Sequence, residues 1–190
     1  MRILVTYASK HGSTEEVAEA VAERLREAGL LTHLVPAAEV EDLDGYDGVV
    51  LGTALYMGRV HHDARHLLKR FHRALATVPV AVFAMGPRTL EEREVAGSRK
   101  QLGASLAKVP DVEPVAVAIF GGVLHQADQH FPFTRMPETD ARDWDAIREW
   151  AADVAAVLYE RNPVSAASTS SRSVPPGSRR EVRVVGRPGR

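Results

Sequence analysis

Four short, nearly uninterrupted apolar runs and a fifth strand-like segment, separated by segments of helical periodicity, constrain this chain more than any other feature. The runs are Arg2–Thr6, Val49–Gly52, Pro79–Ala84 and Val115–Phe120, and Leu31–Val35 reads as the second strand in chain order. Apolarity without alternation suits strands buried on both faces. After the first run, Ser13 or Thr14 offers an N-cap, and Glu15 and Glu16 lie in the first turn, where the helix dipole favours acids. Val17, Ala18, Val21, Ala22 and Leu25 then form one helical stripe, with Gly29 as stop signal. Further helices are predicted over His61–Ala76, with Leu67, Leu68 and Phe71 on one side, and over Leu90–Lys108. A last one covers Asp143–Tyr159, carried by Ile147, Trp150, Ala151, Val154 and Leu158. Strands alternating with helices predict an α/β three-layer sandwich. Its five-stranded parallel sheet is covered on both faces, and the order 2-1-3-4-5 is the common solution.

Hydrophobic residues make up 45% of the 190 and charged residues 26%, an ordinary globular balance that supports a real core. Cysteine is absent, which excludes disulfides, thiolate metal sites, Fe–S clusters and thiol catalysis. No apolar run approaches the roughly 18–20 residues that span a bilayer, and the start lacks a signal-peptide core, so a cytoplasmic location is expected. Charge divides the chain. Residues 163–190 carry six arginines against Glu181, a net +5, and the remainder a net −6. That Ser/Pro-rich end reads as a disordered basic tail after a single domain of residues 1–162. At most it implies peripheral membrane contact, and no nucleic-acid partner is expected.

In open α/β sheets, ligands bind beyond the carboxyl ends of the strands. The first such loop, Tyr7-Ala8-Ser9-Lys10-His11-Gly12-Ser13-Thr14, joins a buried strand to a helix. Hydroxyls, a glycine and the unpaired N–H groups of a helix start converge there, an arrangement suited to phosphate. The other phosphate loops fit worse. G-x-G-x-x-G does not follow the first strand, and G-x-x-x-x-G-K-[ST] is absent. The third strand ends in Gly52-Thr53 rather than in the acid of a phospho-acceptor domain. A mononucleotide with its phosphate on a Ser/Thr loop remains.

The loop resembles the S/T-x-T-G-x-T phosphate loop of the flavodoxins, with Lys10 and His11 replacing hydroxyls. The segment Tyr46–His61 and the run Glu138-Thr139-Asp140 with Asp143-Trp144 resemble the flavodoxin-like protoporphyrinogen oxidase family. This likeness covers about Met1 to Tyr159. It departs at Leu124–Met136, where that family has a longer, more basic segment, and at Met57, where it has a tyrosine.

The resemblance implies FMN as cofactor. Its phosphate would lie on Ser9, Lys10, His11, Gly12, Ser13 and Thr14. The ring would lie between Thr53, Ala54, Leu55, Tyr56, Met57 and Gly58 on one side and Met85, Gly86, Pro87 and Arg88 on the other, near Gly121 and Gly122. Tyr56 is the stacking candidate, Gly58 the peptide near N5, and Arg88 the charge that favours an anionic hydroquinone. His61 and His125 are proton-relay candidates. His62 and His66 share one helix face, but no metal is expected because the acid of an H-E-x-x-H motif is missing. Trp144 and Trp150 read as core anchors. The implied activity is an FMN-dependent oxidoreductase taking electrons from a small molecule such as a porphyrinogen and passing them to a quinone or redox-protein acceptor. The alternative is an electron carrier of flavodoxin type without organic substrate.

Overall fold

The apolar runs become the strands of one sheet. The computed structural model describes residues 1–56, 58–87, 89–124 and 138–162. In chain order these form β1 (Arg2–Ala8), α1 (Ser13–Glu27), β2 (Leu31–Pro36), β3 (Gly48–Tyr56), β4 (Arg59–Val60), α2 (His62–Arg70) and α3 (His72–Leu75). There follow β5 (Val80–Met85), α4 (Glu92–Leu106), β6 (Ala116–Phe120), β7 (Val123–Leu124), β8 (Thr139–Asp140) and α5 (Trp144–Arg161). Strands β2-β1-β3-β5-β6 lie side by side and parallel, with Thr6 opposite Val35 and Leu51. Counting the long strands alone, this is the order 2-1-3-4-5 read from the sequence. Strand β4 adds an antiparallel return on β3, and β7 pairs with β8 apart from the main sheet.

Successive strand residues face opposite layers. Ile3, Val5, Val50, Ala81 and Phe83 pack against α1 and α5 in one core; Leu4, Val49, Leu51, Val80 and Val82 pack against α2 and α4 in the other. The α1 stripe of Val17, Ala18, Val21, Ala22 and Leu25 is fully buried. Each buried Val or Leu contributes about 1.5–3 kcal/mol.

Three local expectations need correction. The third strand continues through Thr53-Ala54-Leu55-Tyr56, since Thr53 and Ala54 pair with Ala84 and Met85 while Leu55 and Tyr56 pair with Val60 and Arg59. The helix expected over His61–Ala76 breaks at Phe71, where φ is −108° and ψ 16°. Arg70 is drawn aside there, donating to the carbonyls of Val40 and Glu41 at 3.2 and 3.0 Å. Lastly, the N-cap of α1 is Gly12, neither Ser13 nor Thr14.

Parallel strands joined by helices set the polarity of the whole body. Helices that follow their strands start at the carboxyl end of the sheet and finish at the amino end. The first turns of α1, α2 and α4 therefore gather where the strands stop.

Candidate functional site

The corner between β1 and α1 is built from backbone. Gly12 adopts φ 86°, ψ −27°, a left-handed conformation costly for residues with a Cβ, although open space surrounds the position. Its N–H donates to Ser9 Oγ at 3.0 Å, and its carbonyl accepts from the Glu16 N–H at 3.1 Å. The N–H groups of Ser13, Thr14 and Glu15 come before the first intrahelical bond, and no side chain caps them. Among the described residues, buried hydroxyls without a hydrogen-bond partner occur at Thr6, Thr14 and Thr139, and Thr14 is the one in this corner. Tyr7 donates its hydroxyl to Glu15. Burial first, and the neighbouring Glu15 carboxylate second, push the Tyr7 phenol up to about 12.

Beside the corner opens a cavity of about 320 Å³. The β1–α1 loop presents Ser9, Lys10, His11 and Ser13; the β3–β4 hairpin presents Ala54, Leu55, Tyr56, Arg59 and Val60. His61 and His62 close one side, and Met85, Gly86, Gly122 and Val123 the floor. No acidic side chain stands among these described lining residues. Tyr56 is 48% exposed at the mouth, with the Lys10 ammonium 5.1 Å and the His11 ring 6.4 Å from its ring centre. His61 caps α2, its Nδ1 accepting from the Asp63 N–H at 3.3 Å. The Asp63 carboxylate lies 3.6 Å from the same nitrogen.

Comparison with known proteins gives this geometry its context. The profile described as "Flavodoxin domain" matches residues 4–133. The chain belongs to the flavodoxin domain family. Among its curated relatives, a protoporphyrinogen IX dehydrogenase [quinone] of Escherichia coli strain K12 is 25% identical, over 45% of this chain and 48% of that protein. An NAD(P)H dehydrogenase (quinone) of Bradyrhizobium diazoefficiens is 36% identical, over 35% of this chain and 45% of that one. The chain thus spans about half the length of the curated relatives it matches. Among solved structures, a cysteine-to-serine mutant of the flavodoxin from Pseudomonas aeruginosa is 20% identical at a TM-score of 0.57, covering 83% of this chain and 99% of that one. The rubredoxin oxygen:oxidoreductase of Desulfovibrio gigas shares the fold at a TM-score of 0.56 and 16% identity, over 84% of this chain and 36% of that one.

FMN is the cofactor of the flavodoxin family, and the corner fits its phosphate. Three N–H donors without a side-chain cap and the Lys10 ammonium match a dianion at the positive end of a helix dipole, and Thr14, which does not line the cavity, keeps a buried unpartnered hydroxyl in the same turn. Of the residues expected around the ring, Ala54, Leu55, Tyr56, Met85, Gly86 and Gly122 line the cavity. Thr53 is buried behind it, bonded to its neighbour's carbonyl at 3.3 Å. Gly58 and Pro87 line a separate groove next to it, shared with Gly97 and Gln101. Gly121 instead supports the floor, so close to a neighbouring loop that a Cβ would lie 1.8 Å from the Ala141 carbonyl oxygen. Met57, Arg88, His125 and most of Leu124–Met136 lie outside the described residues, as does the tail of residues 163–190.

The sequence reading passed over two side chains. Arg142 bonds Glu16 at 2.5 Å and Asp140 at 2.6 Å, and its guanidinium lies 4.8 Å from the centre of the Trp144 ring. Those carboxylates, Asp140 foremost, raise its already high pKa. The second is Tyr7. Trp150 is a core anchor, edge-on to Phe83 and Phe120 at 5.8 and 5.6 Å. His62 and His66 stack at 6.1 Å, and among the described residues no three metal-binding side chains converge.

Proposed function

We propose that this flavodoxin domain is an FMN-dependent oxidoreductase that dehydrogenates a small anionic donor and reduces a quinone. The observation that carries the reading is the union of a phosphate corner with a cavity rimmed by Lys10, Arg59, His61 and His62 and by no acid among its described lining residues. Such a rim concentrates anions and disfavours basic partner proteins. When bound, FMN supplies two-electron redox chemistry. The chain's own residues supply the rest. The N-terminal turn of α1, with Ser9, Lys10, Ser13 and Thr14, holds the phosphate. Leu55 and Met85 exclude water from the floor, while Tyr56 stacks on the exposed ring face. His61, on the cavity wall, is the proposed proton-transfer group, and Arg59 binds a donor carboxylate.

Two electrons and two protons leave the donor in each turnover, the quinone takes up the same number to become a quinol, and repeated turnovers, one quinone for each, carry a porphyrinogen to the porphyrin. Both relatives carry "quinone" in their names, which supports that acceptor. Protoporphyrinogen, whose propionates suit the cationic rim, is the proposed donor. The alternative reading is an electron carrier, favoured by the exposure of Tyr56 at the mouth. Anaerobic mixing of FMN-loaded protein with protoporphyrinogen, then with a water-soluble quinone, decides between them. Bleaching of the flavin absorbance followed by its return is expected. Absence of bleaching, together with rapid electron exchange with a flavodoxin reductase, establishes the carrier instead.

A further inference from the structure

We propose that Tyr7 and Arg142 are positioning residues that hold Glu15 and Glu16 off the phosphate corner, and so set its preference for FMN over the unphosphorylated flavin. The inference rests on the assignment of that corner to the FMN phosphate.

Two adjacent carboxylates occupy the first turn of α1, the place where a dianion has to bind. A glutamate at the third helical position commonly folds back to the backbone N–H of the N-cap, closing a capping box. Glu15 stands at that position, and the box is not formed. The Gly12 N–H is taken by Ser9 Oγ at 3.0 Å, and Glu15 is bound instead by the Tyr7 hydroxyl, eight residues back on β1. Tyr7 packs against the α1–α5 core, so the carboxylate is held toward the body of the sheet. Its phenol, pushed up to about 12, stays a donor across the ordinary pH range.

Glu16 has its own restraint. Arg142 reaches it from a position 126 residues away while gripping Asp140 with its other nitrogens. The Arg142 side chain is 9% exposed, whereas that of Glu16 is 55% exposed, so water screens the second tether more than the first. Together the tethers leave three N–H donors open and move two negative charges away from an incoming phosphate.

Binding of FMN and of riboflavin to the full-length protein separates this from a purely structural role, because riboflavin lacks the phosphate. Tyr7→Phe is expected to weaken FMN on the order of tenfold and to leave riboflavin unchanged. Adding Glu15→Gln to that variant restores FMN affinity, since an amide no longer repels the dianion. Arg142→Gln is expected to cost FMN about threefold, recovered by Glu16→Gln. If Tyr7→Phe fails to fold, Glu15→Asp keeps the charge, shortens it out of reach of the hydroxyl, and carries the same expectation. Equal loss of both flavins, or no rescue by Glu15→Gln, overturns the proposal. A wild-type protein that binds both flavins equally, or neither, overturns the phosphate seat itself, a distinct and earlier failure.

Discussion

The two ends of the sheet each carry a concavity, and the larger is not the one proposed to hold the flavin. At the carboxyl end lies the cavity of about 320 Å³ beside Gly12; at the amino end, one of about 430 Å³ lies between Leu75–Pro79, Pro110–Val115 and Arg161. Volume alone favours the second. Polarity reverses the choice. The start of α1 faces the first cavity with free N–H groups, whereas the C-terminal ends of α3 and α5 flank the second, bringing carbonyls together with Asp111, Glu113 and Arg161. The parallel alternation of strand and helix therefore gives the two ends of the sheet opposite backbone polarity.

The largest expected effect comes from the backbone that floors the carboxyl end. Gly121→Ala places a methyl 1.8 Å from the Ala141 carbonyl oxygen and is expected to cost about 3 kcal/mol in urea unfolding. Its counterpart in the last turn of α4 is Gly103, which faces open space. Gly103→Ala is expected to stabilise by about 0.5–1 kcal/mol, and a loss there would break the contrast.

A charge placed at each end sharpens the comparison next. Ser13→Glu puts a carboxylate into the phosphate corner and is expected to weaken FMN by roughly 30-fold in a fluorescence titration. Thr77→Glu, beside the larger cavity, is expected to leave FMN binding unchanged. Similar losses from both would place the flavin elsewhere.

The smallest effect is electrostatic. Tyr7 is raised from 10.0 to about 12, so folding favours its protonated form. The stability this contributes is complete below pH 10 and is lost as pH rises through about 12. A melting-temperature profile of the wild type should fall more steeply across that window than one of Tyr7→Phe.

The strands were legible because Ile3–Val5, Val49–Leu51 and Val80–Ala84 are buried on both faces and carry no alternation to confuse them. The corner was legible for a related reason, since hydroxyls and a glycine between a strand and a helix admit few uses. Its cap was misread because Ser13 and Thr14 are stronger capping types than glycine. The free N–H groups needed by a ligand are the ones that a capping side chain would consume. The end of β3 was hidden by Thr53-Ala54, which reads as loop until β5 and β4 are beside it. Arg142 shows locally only its neighbour Asp140, because the other carboxylate that it holds lies across the fold at Glu16.

The placement of the two tryptophans gives the protein two separate optical reporters. Trp150, edge-on between Phe83 and Phe120, senses whether the interior is assembled. Trp144 lies beneath the guanidinium that joins β8 to the start of α1, so its emission follows that joint. A change in one signal without the other distinguishes loosening around the ligand from global collapse, with no label attached.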